Sequence, residues 1–241
     1  MKKALIWSRR FLALLLLLLG AAWMFAEASQ WLLRWQAERL LADVQSFKVN
    51  RSTTAEVQAF QRRWSRWAVT VSSCYGNTCY SNVFIKHLLP TMFRGDPNEE
   101  SESWLLTTMD HIGLRSAVVG GGFILEHGVV TQRWFSEEVS LPVREWFTPG
   151  GAYSPTIVGT SIEDARFNET DEKRVHPSHP LRIAHDIKSG FGLVVKFKPE
   201  ETISEQAALM NFQFSCITQL VPCRSERDIL PEGWQLLQEK Y

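Results

Sequence analysis

Three periodicities of apolar and polar positions follow one another along the chain. Residues 11–26 carry no charged side chain and include six consecutive leucines, Leu14 to Leu19. A run with no polar stripe reads as a membrane segment rather than an amphipathic core helix. From Gln30 the apolar residues Leu33, Ala37, Leu40, Leu41, Val44 and Phe47 recur at three- and four-residue steps, which predicts an amphipathic helix continuing outward. A break is expected at Lys48 to Ser52. Thr53 with Glu56 then forms a capping box for a second helix with an apolar face of Val57, Phe60, Trp64 and Trp67.

Beyond Trp67 the period falls to two, the signature of half-buried strands. Residues 68–73 and 80–86 are expected to pair across a Tyr75-Gly76-Asn77-Thr78 loop. Further strands are expected at 114–119, 123–127, 129–135, 181–186, 192–198 and 211–220, with a bulge or hairpin turn at Gly120-Gly121-Gly122. Residues 149–180 read as a long surface loop. Short helices are expected near 204–209 and from Pro231. The fold class is therefore α+β: a single N-terminal transmembrane helix, a juxtamembrane helical hairpin, and a mostly antiparallel sheet. The corresponding segments are a cytoplasmic flank at 1–10, a transmembrane segment at 11–33, the hairpin at 34–67 and an extracytoplasmic β-rich domain at 68–241.

Charge sets the orientation. Lys2, Lys3, Arg9 and Arg10 precede the apolar run and hold the N-terminus in the cytoplasm, placing the bulk of the chain outside. The alternative is a signal peptide cleaved after Ala28, at the small pair Ala26 and Ala28, which releases a secreted domain. The 241 residues, 45% hydrophobic and 22% charged, exclude a disordered chain and a polytopic membrane protein. The net charge of zero conceals an uneven distribution: residues 1–70 contain eleven Lys and Arg against four acids, so the remainder is acidic. No nucleic-acid partner is expected.

Export reclassifies the four cysteines, since an oxidising compartment favours disulfides over a catalytic thiol or a metal site. Cys74 and Cys79 bracket a short loop, and Cys216 and Cys223 lie close in sequence, so local pairing 74–79 and 216–223 is expected among the three possible connectivities. Their spacings match neither a C-x-x-C redox motif nor the usual zinc pattern. His176, His179 and His185 are clustered and offer a metal-dependent hydrolase as the alternative function. Pro177 and Pro180, however, prevent the helix that an H-x-x-H site needs. No G-x-S-x-G elbow is present, and the glycine triplet lacks the pattern of a phosphate loop. No cofactor is expected. The best contact candidate is Arg62, Arg63, Trp64, Arg66 and Trp67, basic and aromatic residues placed near a membrane surface or a protein partner.

With this organisation the chain resembles a group of membrane-anchored bacterial hypothetical proteins with a helical stalk and a Cys-paired β-rich exported domain. The resemblance is carried by Ala37-Glu38-Arg39-Leu40-Leu41-Ala42-Asp43-Val44, the Ser52-Thr53 helix start with its tryptophans, and the Cys74/Cys79 hairpin, over residues 30–90. It implies no activity. The segment Ser52-Thr53-Thr54-Ala55-Glu56-Val57 is also similar to the helix start of small outer-membrane assembly lipoproteins, but no lipobox cysteine ends the apolar run. The expected function is a membrane-anchored extracytoplasmic protein acting as a binding module of the cell envelope.

Overall fold

A computed structural model describes residues 2–86, 117–140, 156–166, 182–185, 191–218, 223 and 225–238. The apolar run and the amphipathic stretch form a single helix, α1 (Lys2–Ser46), of 45 residues. Its most apolar part has a mean hydropathy of 2.1 and is long enough to cross a membrane. α1 passes residue 33 without a break. One face becomes buried from Ala26 onward, through Gln30, Leu33, Ala37, Leu40, Leu41 and Val44. The 3.6-residue spacing of these positions is what lets a straight helix lay one stripe on a sheet.

After the turn at 47–53, helix α2 (Thr54–Trp64) begins as the capping box requires, with the Thr53 backbone N–H donating to Glu56 Oε2 at 2.6 Å. The two helices make the expected hairpin, and both lie on one face of the sheet. The strands are β1 (Val69–Tyr75), β2 (Thr78–Lys86), β3 (Ala117–Glu126), β4 (Val129–Ser140), β5 (Thr156–Asp164), β6 (Arg182–His185) and β7 (Phe191–Phe197). They form one seven-stranded sheet in the order β1-β2-β3-β4-β5-β7-β6, antiparallel except where β5 pairs with β7. Four short helices, α3 (Ile203–Leu209), α4 (Ser215–Thr218), α5 (Glu226–Ile229) and α6 (Pro231–Gln238), complete the helical layer. Two aromatic groups fill the space between the layers. Phe47 lies 4.4 Å and Phe60 5.2 Å from the Phe123 ring, while Phe212 lies 4.8 Å and Phe214 5.9 Å from the Phe135 ring.

Several elements depart from the pattern-based expectation. β1 and β2 continue to a two-residue turn, Gly76-Asn77, with Gly76 at φ +59°, the position where a type II′ turn needs glycine. Cys74 and Cys79 are therefore facing residues of the ladder, bonded with a Cα separation of 4.1 Å. β5 runs through what reads as a long loop. Residues 211–218 contain no strand, because Phe212 and Phe214 turn into the core from irregular backbone and α4 follows.

The glycine triplet is the most instructive difference. It is no turn: Gly120, Gly121 and Gly122 sit inside β3, which is pressed from both sides. A Cβ on Gly121 would lie 2.8 Å from Val44 Cγ2 of α1, and one on Gly120 would lie 3.0 Å from the Phe84 ring. On Gly122 it would lie 2.4 Å from Asn82 Oδ1. The strand keeps its ladder while giving up three side chains, and α1 thereby approaches the sheet backbone. Gly121→Ala should therefore destabilise the full chain in detergent by about 1–3 kcal/mol, since β-branched Val44 has little rotamer freedom to yield. Chemical unfolding followed by circular dichroism measures this, and adding Val44→Ala should restore part of the loss. An unchanged midpoint for Gly121→Ala would contradict the close approach.

Candidate functional site

α1 lies along β3 and runs the same way. Val44 meets Gly121, the carbonyls of residues 44, 45 and 47 meet Arg133, and the Arg34 charge acts on Glu137 nearer the apolar N-terminal half of α1. The end of the sheet marked by Lys86, Ala117, Val139 and Ile157 therefore faces the apolar N-terminal part of α1. The Gly76-Asn77 and His127-Gly128 turns lie at the far end.

The last turn of α1 contains no basic residue to balance its carbonyls. Arg133 of β4 supplies one from outside the helix. Its Nη1 donates to Gln45 O at 2.7 Å, Phe47 O at 2.9 Å and Val44 O at 3.4 Å. Its Nε donates to the buried Glu163 carboxylate on β5. Burial pushes the Glu163 carboxyl above its ordinary value, against the opposing pull of Arg133. This cluster is structural: each donor is turned inward.

Glu137 is different. It lies on the inner face of β4, its carboxyl oxygens make no hydrogen bond among the described residues, and the charge that acts against its burial is the partly exposed Arg34. Burial raises its pKa well above the ordinary 4.5.

The outward side of the helical layer holds the accessible site. Leu32, Trp35, Gln36, Arg39, Ala42 and Asp43 of α1, with Arg63, Trp64 and Trp67 at the end of α2, line a groove of about 710 Å³. α2 runs back towards the apolar N-terminal half of α1, which brings its basic-aromatic end beside that helix. Trp64 is buried and donates from Nε1 to Asp43 Oδ2 at 2.9 Å, while Arg63 pairs with Asp43 Oδ1 at 2.9 Å. Trp67 stands 65% exposed. Arg62 and Arg66 are exposed and make no ion pair among the described residues. The Arg39 guanidinium stacks over the Trp35 ring at 4.0 Å, and Arg34 over Trp31 at 5.4 Å. The sequence singled out the α2 side of this groove. It missed Trp35, Arg39 and Asp43, which nothing in local pattern ties to α2.

Cys216 and Cys223 are bonded, with Cα atoms 5.4 Å apart. His176 and His179 lie outside the described residues, and His185 contributes backbone to β6. Among the described residues no group of His, Cys, Asp and Glu has the arrangement of a metal site. No family model matches the chain, and neither a curated protein nor a solved structure is significantly similar to it.

Two substitutions test the buried charges in unfolding experiments on the full chain. Arg133→Met should cost about 3–5 kcal/mol, because Glu163 is left buried without its partner, and adding Glu163→Leu should recover much of it. Glu137→Met should stabilise by about 1–3 kcal/mol at neutral pH by removing an unsatisfied buried group. The sign with pH follows from the raised pKa. Below 4.5 the carboxyl is protonated folded and unfolded alike, and as pH rises the unfolded chain ionises first, so native stability falls. The advantage of Glu137→Met should therefore widen from pH 4.5 upward, and an advantage that shrinks with pH would contradict the assignment.

Proposed function

We propose that this protein is a single-pass membrane protein whose extracytoplasmic domain is built directly on its anchor and serves as a non-catalytic binding module at the cell-envelope surface. The observation that carries the reading is the continuity of α1. The same helix supplies the apolar membrane segment and, from Ala26, the central stripe of the domain core. Cleavage after Ala28 would cut this helix inside its docked part, where Ala26 is 3% and Gln30 1% exposed. That argues for retention of the segment.

Two further features support the orientation. Lys2, Lys3, Arg9 and Arg10 form a basic flank on the N-terminal side. The two disulfides suit an oxidising compartment on the other side. The docking of α1 from Ala26 leaves no free stalk, so the domain rests close to the bilayer. Such an arrangement suits a module that presents a fixed surface rather than one that reaches. The groove beside α1 combines accessible aromatics with cations.

Full-length protein expressed in its source cell tests the proposal. It should stay in the pellet after alkaline carbonate extraction, retain its original N-terminus, and yield 74–79 and 216–223 linked peptides on non-reducing mass mapping. A mature chain beginning at Ser29, or free thiols at Cys74 and Cys79, would overturn it.

A further inference from the structure

The outward stripe of α1 does not end where the membrane segment ends. At 3.6 residues per turn, Met24, Ala28, Trp31, Leu32, Trp35 and Arg39 fall on the side opposite the docked residues Ala26, Leu33, Ala37 and Val44. All six are exposed. An apolar ridge thus runs unbroken from the membrane segment to the groove and closes on cations.

The heights along the helix fit a bilayer surface. Counted from Phe11, about 20 residues at ~1.5 Å each cover a ~30 Å hydrocarbon core and reach Gln30. Trp31 and Leu32 then sit at the boundary, and Trp35 lies one turn further, at the level where indole rings collect. Helical side chains lean towards the N-terminus, which here is towards the membrane. Arg34 and Arg39 do so: each guanidinium lies over a tryptophan one turn closer to the bilayer, at 5.4 and 4.0 Å. Arg63 of α2 and Trp67 just beyond its end enter the same groove, with Arg62 and Arg66 close by in sequence. Asp43 is the acid among the lining residues, and it is engaged by Arg63 and Trp64. Arg39 makes no ion pair among the described residues.

We propose that this groove binds the headgroups of anionic phospholipids in the leaflet that receives α1, with Arg39 and Arg63 facing the phosphate and Trp35 and Trp67 beside the glycerol and upper acyl region. The inference rests on the membrane reading above and adds to it a lipid class and a site. Continuity with the membrane segment favours lipid over a protein partner, and the excess of cations favours an anionic headgroup. The ion pair of Arg63 with Asp43 holds one cation in place, so Arg39 carries the larger share of the selectivity.

The test uses the full chain reconstituted in phosphatidylcholine vesicles with increasing phosphatidylglycerol, carrying an environment-sensitive dye at Gln36→Cys in the groove or, as control, at Asn77→Cys at the far hairpin tip. The groove dye should shift to the blue as phosphatidylglycerol is added and the control dye should not. Arg39→Gln should raise the half-saturating phosphatidylglycerol fraction about fivefold, the effect of one cation at an anionic surface, and added salt should act in the same direction. Trp35→Phe should preserve the lipid preference more than Trp35→Ala does. Identical response to both lipids, or a change in oligomeric state with Arg39→Gln but none in lipid response, would overturn the proposal and give the groove to a protein. Failure of the chain to stay with the vesicles under carbonate would instead remove the membrane reading itself.

Discussion

The Arg133 guanidinium is the interaction on which the rest of the arrangement depends. A long apolar helix whose C-terminal part enters a domain has to stop somewhere inside that domain, and its last carbonyls are then buried without partners. α1 lacks a basic residue in its last turn. The acceptors at residues 44, 45 and 47 are met by a single side chain from β4, and the cation so buried is balanced by Glu163 of β5. Because helix end, β4 and β5 meet at one group, the position of α1 along the sheet is fixed by charge and geometry as well as by apolar contact. A buried pair of this kind adds little net stability compared with apolar side chains of the same volume. Its value lies in register: a helix slid by one turn would leave the guanidinium and the carbonyls apart.

Everything nearer the N-terminal half of α1 follows from that fixed point. The glycine triplet lets Val44 and Leu40 approach the strand backbone, so α1 lies deep in the layer instead of resting on side chains. Residues 26–44 then alternate between a docked stripe and an outward stripe, and the outward stripe is continuous with the exposed apolar surface of the N-terminal half of α1. Asp43 holds the end of α2 against α1 through Trp64 and Arg63, which turns two separate amphipathic helices into the walls of one groove. Glu137 stands apart from this economy. It is a carboxyl under the helix with no hydrogen-bond partner, and burial keeps it protonated to a higher pH than an ordinary glutamate. Arg133 and Glu163 fix the helix end, whereas this carboxyl weakens the packing of α1 on the sheet as pH rises.

Much of the architecture was legible from local pattern. The six leucines, the three- and four-residue steps from Leu33 to Phe47, the Thr53/Glu56 box and the alternating runs around Cys74 and Cys79 each depend on contacts within a few residues, and those elements are present. What could not be read depended on a partner distant in sequence. Gly120-Gly121-Gly122 has the composition of a turn, and only the proximity of α1 on one side and Phe84 with Trp134 on the other makes it a strand. β5 was hidden among Gly, Pro and acidic neighbours because its strand character comes from pairing with β4 and β7. Phe212 and Phe214 have strand periodicity, yet they are core residues on irregular backbone beside Phe135.

The candidate groove divides in the same way. Composition marked Arg62, Arg63, Arg66 and Trp67 as a basic-aromatic cluster, since charge and ring type are properties of the residues themselves. It placed Trp64 with them, although the indole is turned inward to Asp43, which lies 21 residues away in the chain. Sequence alone determined that the chain has a membrane-length apolar segment, an amphipathic continuation and cysteines close enough to pair locally, because hydrophobicity and spacing are written residue by residue. Only the tertiary structure decided that the two helical stretches are one helix docked from Ala26, that its end is held by an arginine 87 residues beyond Ser46, and that Trp35 and Arg39 share a groove with α2. Those outcomes rest on contacts between distant segments, and such contacts exist only once burial has brought the segments together.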